Sequence, residues 1–96
     1  SMQYDEFIDS LQHGACPEGL SPWLEALWYE AAGEWDAAHE IVQQMDDMMA
    51  ARIHAYLHRR EGDIWNSNYW HSRAGSSFPE HLSEEEEWAS LVQELL

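Results

Sequence analysis

The sequence predicts an all-α fold of about six short helices, stacked as antiparallel hairpins. Apolar residues recur at helical spacing, residues typical of helix ends separate these segments, and a helix–turn–helix pattern occurs twice. The predicted helices span residues 3–13, 22–32, 35–45, 48–61, 64–74 and 84–95 of a single domain, 1–96. Ser1, ahead of Met2, is interpreted as an added residue and is left out of the argument.

The first three helices are predicted from their apolar faces and from the residues at their ends. One face of the first helix carries Tyr4, Phe7, Ile8 and Leu11. Ser21-Pro22 marks the start of the second helix, because serine is a good N-cap and proline fits the first helical position. Gly33 is expected to end the second helix, and the third helix continues to about Met45.

The fourth and fifth helices form a central hairpin around Gly62 and Asp63. Glycine suits the left-handed residue that follows a helix, and aspartate is a good N-cap for the next one. We expect the inward face of the fifth helix to carry Ile64, Ser67, Trp70, His71 and Ala74. Ser83 is the predicted N-cap of the sixth helix, and the acidic run from Glu84 to Glu87 is predicted to be a solvated first turn.

Both hairpins carry a pattern that resembles the second half of a tetratricopeptide repeat. The later copy holds it at Gly62, Asp63, Ile64, Ser67, His71 and Ala74, with Ala55 in its first helix. The earlier copy holds it at Gly33, Trp35, Ala38 and Val42, with Ala26. The resemblance implies stacked hairpins whose first helices line a groove. Residues 23–75 also resemble a group of short, mostly bacterial proteins of unknown activity, which implies no function.

The composition excludes several classes of partner. The formal net charge is −15, from nineteen acidic residues against four basic ones. Nucleic acids and anionic membrane surfaces would repel such a chain, so neither is an expected partner. The sequence contains no apolar run of membrane-spanning length and no recognisable signal peptide. A single cysteine, Cys16, favours a reducing compartment, and we therefore expect a cytoplasmic location.

The leading site hypothesis concerns the arginines, all of which lie within residues 52–73. Arg52, Tyr56 and Arg59 are spaced by four and three residues, so they share a helix face. With Trp70 they form a predicted binding site for a small anion or for the carboxylates of a peptide or protein partner, because guanidinium forks bind carboxylates in pairs. In the alternative interpretation, the arginines pair with neighbouring acids of the same chain.

A second hypothesis is a metal site. His54 and His58 lie one helical turn apart, and His39 on the preceding helix could supply a third ligand. Zinc or another divalent metal would then be the cofactor, in a structural or a hydrolytic role, although His54 does not begin an H-E-x-x-H motif. In the alternative interpretation no cofactor is needed, and both histidines are buried residues with hydrogen-bond partners inside the protein.

Catalysis has little support in the sequence. No nucleophile motif or phosphate-binding loop occurs, and an acid–base group of His39, His54, Glu61 and Asp63 would lack a predicted pocket. The sequence therefore favours a protein–protein interaction or ligand-binding module over an enzyme. A third hypothesis is a structural module that forms a homodimer through exposed tryptophans such as Trp65.

Overall fold

The structure is a computed structural model that describes residues 2–96, and these residues form six α-helices and no strand. Ser1, interpreted above as an added residue, lies outside the described residues. The helices are α1 (Tyr4–Ser10), α2 (Pro22–Ala31), α3 (Trp35–Gln43), α4 (Met48–Arg60), α5 (Ile64–Ala74) and α6 (Glu84–Leu95). A 3₁₀ turn, Leu11–His13, follows α1. The prediction of an all-α fold with six helices is confirmed.

Polar side chains begin four of these helices. The Ser21, Asp47, Asp63 and Ser83 side chains each accept a hydrogen bond from a backbone N–H in the first turn of the helix that follows. Such a bond satisfies one of the N–H groups that a helix start leaves without an internal partner. Because these contacts are local, these four helices begin where the capping residues in the sequence predict.

The two hairpins close through the same backbone turn. In the second hairpin the Gly62 N–H donates to Arg59 O, and the Asp63 N–H donates to His58 O, at 3.0 and 2.9 Å. The equivalent bonds of the first hairpin involve Gly33 and Glu34 and have the same two lengths. Gly33 and Gly62 both have positive φ, +85° and +83°. The turn therefore brings α3 back along α2, and α5 back along α4.

Helix α4 is the centre of the molecule. It packs against α5 and α3, and also against α2 and α6. Its inner face is almost entirely buried, and the largest side chains of the surrounding core are Trp28, Tyr56, Phe7, Leu27, Ile53 and Leu57. Because α4 and α3 are in direct contact, side chains on their shared face can meet, and the histidines of both helices lie there.

Two expectations about individual side chains were wrong. Ile64 was expected to face inward, but it is 46 % exposed because α5 turns a different face toward α4. Glu87 was expected to be solvated with its neighbours, but it is buried because Arg59 reaches across from α4 to bind it. Helical spacing alone does not determine which face a partner helix covers.

No helix within residues 2–96 combines the length and the apolar character needed to cross a lipid bilayer.

We predict that Gly62→Val lowers the free energy of unfolding by more than about 1 kcal/mol, because a β-branched residue is strained at positive φ. No heavy atom lies within 4 Å of a Cβ built at Gly62, so the loss would report backbone strain and not a clash. Gly62→Asn is the control, since asparagine tolerates the left-handed region. Chemical denaturation measures both variants, and equal losses would show that backbone strain at Gly62 is not the cause.

Candidate metal-binding site

Three histidine side chains from two helices meet between α3 and α4. His39 comes from α3, whereas His54 and His58 lie one turn apart on α4. One ring nitrogen from each histidine lies within 4.8 Å of the other two, and the Nε2 atoms of His39 and His54 are 2.9 Å apart. The three residues that the sequence suggested as metal ligands are therefore together in space.

The spacing of these nitrogens suits a small transition-metal ion. Zinc binds imidazole nitrogen at about 2.0–2.1 Å, so two nitrogens at tetrahedral positions lie about 3.3 Å apart. The His39–His54 distance of 2.9 Å is slightly shorter than this, and no separation in the trio exceeds 4.8 Å. Side-chain movements of roughly 1.5 Å or less would bring the three nitrogens to metal-binding distances.

The surroundings favour the unprotonated form of two of the three histidines, His39 and His54. Burial, together with the nearby His39 and His58, lowers the pKa of His54 to about 3. Burial and His58 also lower the pKa of His39, although the carboxylates of Glu61, Glu40 and Asp36 act in the opposite direction. A metal ion binds only the neutral imidazole, so His39 and His54 do not have to lose protons to bind one at neutral pH.

Two tryptophans form walls of the cluster. The Trp70 ring stacks on His54 with centroids 3.8 Å apart, and the Trp35 ring stacks on His39 at 4.8 Å. Trp35 is itself held by the bond from its Nε1 to the backbone oxygen of Leu57, at 2.7 Å. The walls restrict ring rotation and exclude water from one face of each ring. Trp70 was predicted to belong to the anion site, and only the packing of α5 on α4 places it here.

A carboxylate completes the cluster on its outer side. Nδ1 of His58 donates a hydrogen bond to Oε2 of Glu61 at 2.7 Å. Glu61 is the residue after α4, three positions beyond His58. Glu61 was predicted only as a member of a possible acid–base group. The i, i+3 spacing at the end of a helix was the signal that could have paired it with His58.

The predicted anion site at Arg52, Tyr56, Arg59 and Trp70 does not assemble as a single surface. Tyr56 is 1 % exposed and donates its hydroxyl hydrogen to Glu30 inside the core. Arg52 binds Glu94, and Arg59 binds both Glu87 and the backbone oxygen of Leu82. The anion site stays a prediction, but these contacts favour the alternative interpretation, in which the arginines pair with acids of the same chain.

Arg60 illustrates how the chain uses its few cations. Its guanidinium bonds to Glu30, Glu84 and Glu85, which come from α2 and α6. Three carboxylates around one guanidinium leave the region negative, so an external anion would find no net attraction there. The ion pairs instead join α4 to its neighbours across the molecule.

Helix α5 presents aromatic side chains to the outside. Trp65 is 74 % exposed, and its ring lies nearly parallel to that of Tyr69, with centroids 6.1 Å apart. Arg73 follows on the same helix and donates to the Tyr69 hydroxyl at 3.0 Å. Residues 64–75 contain no acidic side chain, which distinguishes this surface in a chain with nineteen acids.

No protein-family profile matches the chain, and neither a curated protein nor a solved structure is similar enough to count as a match.

Proposed function

We propose that this protein binds one divalent transition-metal ion, zinc in the first instance, through His39, His54 and His58. The observation that carries the proposal is the convergence of three ring nitrogens within 4.8 Å from two different helices. Imidazole is a preferred ligand of zinc and of neighbouring transition metals, whereas magnesium and calcium prefer oxygen. The resemblance to tetratricopeptide repeats is consistent with this site, because it lies between two helical hairpins.

Three protein ligands leave one tetrahedral position free. Zinc sites with this number of ligands hold a water molecule or a substrate at the fourth position, whereas structural sites have four protein ligands. The site therefore fits an exchangeable or reactive ion better than a purely structural one. His39 is half-buried while His54 and His58 are buried, which places the open side of the cluster at the α3 edge.

The test is a zinc titration against a chromophoric chelator, combined with native mass spectrometry. We expect one zinc ion per chain and a loss of affinity of at least 100-fold in His39→Ala and in His54→Ala, because each removes one of three ligands. His81→Ala is the matched control, since His81 is an exposed histidine outside the cluster. We expect this control to bind zinc as the wild type does.

Far-UV circular dichroism separates a lost ligand from a lost fold, and His39→Ala carries less risk of unfolding because its side chain is only half-buried. Absence of zinc binding by the folded wild type would overturn the proposal. The alternative interpretation would then hold, in which His54 and His58 are buried residues with hydrogen-bond partners inside the protein, here His39 and Glu61.

The exposed aromatic surface of α5 supports a second candidate function, self-association. Large exposed aromatic side chains often mark interaction surfaces, and an acid-free surface is where two strongly acidic copies repel each other least. Trp65 and Tyr69 would form its centre. A dimer would appear in the same native mass spectrum, independently of any bound metal.

A further inference from the structure

We infer that Glu61 is a positioning residue for the metal site, and that it acts through His58. This inference rests on the metal-binding function proposed above. A carboxylate can only accept hydrogen bonds, so the Nδ1 atom of His58 must carry the ring proton in the 2.7 Å contact with Glu61. In the neutral ring the lone pair of His58 then lies on Nε2, which is the nitrogen left for a metal ion.

The contact between Glu61 and His58 supplies negative charge, which the three imidazoles lack. Neutral imidazole ligands bring no negative charge to a divalent cation. A carboxylate bonded to the far side of one ring raises the electron density at the opposite nitrogen and fixes the orientation of the ring. Glu61 is suited to this role, because its side chain is partly exposed while the His58 ring that it holds is buried.

The hairpin turn holds the carboxylate in place. The Glu61 N–H donates to Leu57 O at 3.3 Å, and the two residues that follow are bonded back to the last turn of α4. The neighbouring acid Asp63 has another role, since both of its carboxylate oxygens accept hydrogen bonds from Asn66 at the start of α5. Asp63 also lies close to His58, but Glu61 is the acid of this turn that is hydrogen-bonded to a ring of the histidine cluster.

The experiment compares Glu61→Gln with Glu40→Gln. Each variant removes one negative charge near His39, and both carboxylates act on the pKa of His39. Glu40 is exposed on α3 and bonds to Gln44, not to a ring of the cluster. The pair therefore separates the hydrogen bond to His58 from the general effect of a nearby charge.

We expect zinc affinity at one fixed pH to fall 10- to 100-fold in Glu61→Gln. In Glu40→Gln the affinity should stay within about twofold of the wild type, because an exposed charge is screened by salt. Nitrogen-15 NMR of the metal-free protein provides a second measurement. His58 should be the Nδ1–H tautomer in the wild type and in Glu40→Gln, and a mixture of tautomers in Glu61→Gln.

Equal zinc affinities in Glu61→Gln and Glu40→Gln would overturn the role of Glu61 while leaving the metal site intact. An Nε2–H tautomer of His58 in the wild type would do the same. If the wild type itself binds no zinc, the proposed function fails, and the role of Glu61 fails with it. Glutamine has nearly the size of glutamate and Glu61 lies on the surface, so the variant should fold, and a thermal melt verifies this.

Discussion

Replacing Arg59 with alanine is expected to lower the free energy of unfolding by about 3 to 5 kcal/mol, because it leaves a buried carboxylate without its partner. Arg59 Nη1 bonds to Glu87 Oε1 at 2.9 Å, and Glu87 is only 5 % exposed. Arg59 also donates to Leu82 O at 2.7 Å and lies over the Phe78 ring at 4.8 Å. One substitution therefore removes several contacts between α4 and the segment that leads into α6.

Arg52→Ala is the matched control. Arg52 also binds a glutamate of α6, Glu94, but both side chains are substantially exposed. An ion pair of this kind contributes less than about 1 kcal/mol, because water and salt screen it. Urea denaturation of both variants measures the difference. Similar losses for the two would contradict the burial argument, because only the Arg59 pair is shielded from solvent.

A double variant distinguishes the cost of leaving the Glu87 carboxylate unpaired from the net contribution of the Arg59–Glu87 ion pair to stability. Burial raises the pKa of Glu87, and the Arg59 guanidinium acts against this shift. In Arg59→Met combined with Glu87→Leu neither of the two positions carries a charge, so most of the stability lost in Arg59→Ala should return.

This result also bears on the anion-site hypothesis. Arg59→Ala would impair binding through lost stability alone, so Arg52→Ala is the better variant for a test of ligand binding.

Acidification from pH 6.5 to pH 4 is expected to cost about 3 kcal/mol of stability through His54 alone. The pKa of His54 is about 3 in the folded protein, below the ordinary histidine value of 6.5. Between these two pH values, His54 is therefore protonated in the unfolded chain but not in the folded protein. The contribution is fully present above pH 6.5 and is lost as the pH falls toward 3, at about 1.4 kcal/mol per pH unit.

Other groups modify this slope. Burial lowers the pKa of His39 and of His71, so both also lose stabilising free energy as the pH falls. Glu87 acts in the opposite direction, because its pKa is raised and the folded state then gains on acidification. The comparison of wild type with His54→Gln isolates the His54 contribution from these.

Unfolding free energies measured by denaturant titration at several pH values provide the test. His54→Gln should show a shallower fall between pH 6.5 and pH 4, by up to one proton per molecule. His81→Gln, which removes an exposed histidine, should follow the wild type. If His54→Gln and the wild type have the same slope, His54 takes up its proton as readily in the folded protein as in the unfolded chain, and its pKa is not lowered.

How much of the candidate site was predictable depended on distance along the chain. His54 and His58 are one helical turn apart, so any α-helix places them on one face. His39 could be suggested because α3 precedes α4 by a short connection, and neighbouring helices usually pack together. The contact of Glu61 with His58 is also local, but it was not predicted. The stacking of Trp70 on His54 depends on how α5 packs on α4. The sequence predicted that Trp70 faces inward, but it did not predict which side chain Trp70 contacts.

The sequence by itself determined the class of fold and the places where helices begin and end, because caps, glycine turns and helical spacing act over a few residues. Only the tertiary structure decided which side chains meet across helices. Arg59 with Glu87, Tyr56 with Glu30 and Arg60 with three carboxylates all join residues at least 24 positions apart. Such pairs depend on the rotation and crossing of whole helices, and that information is spread over the entire core rather than carried by any one segment.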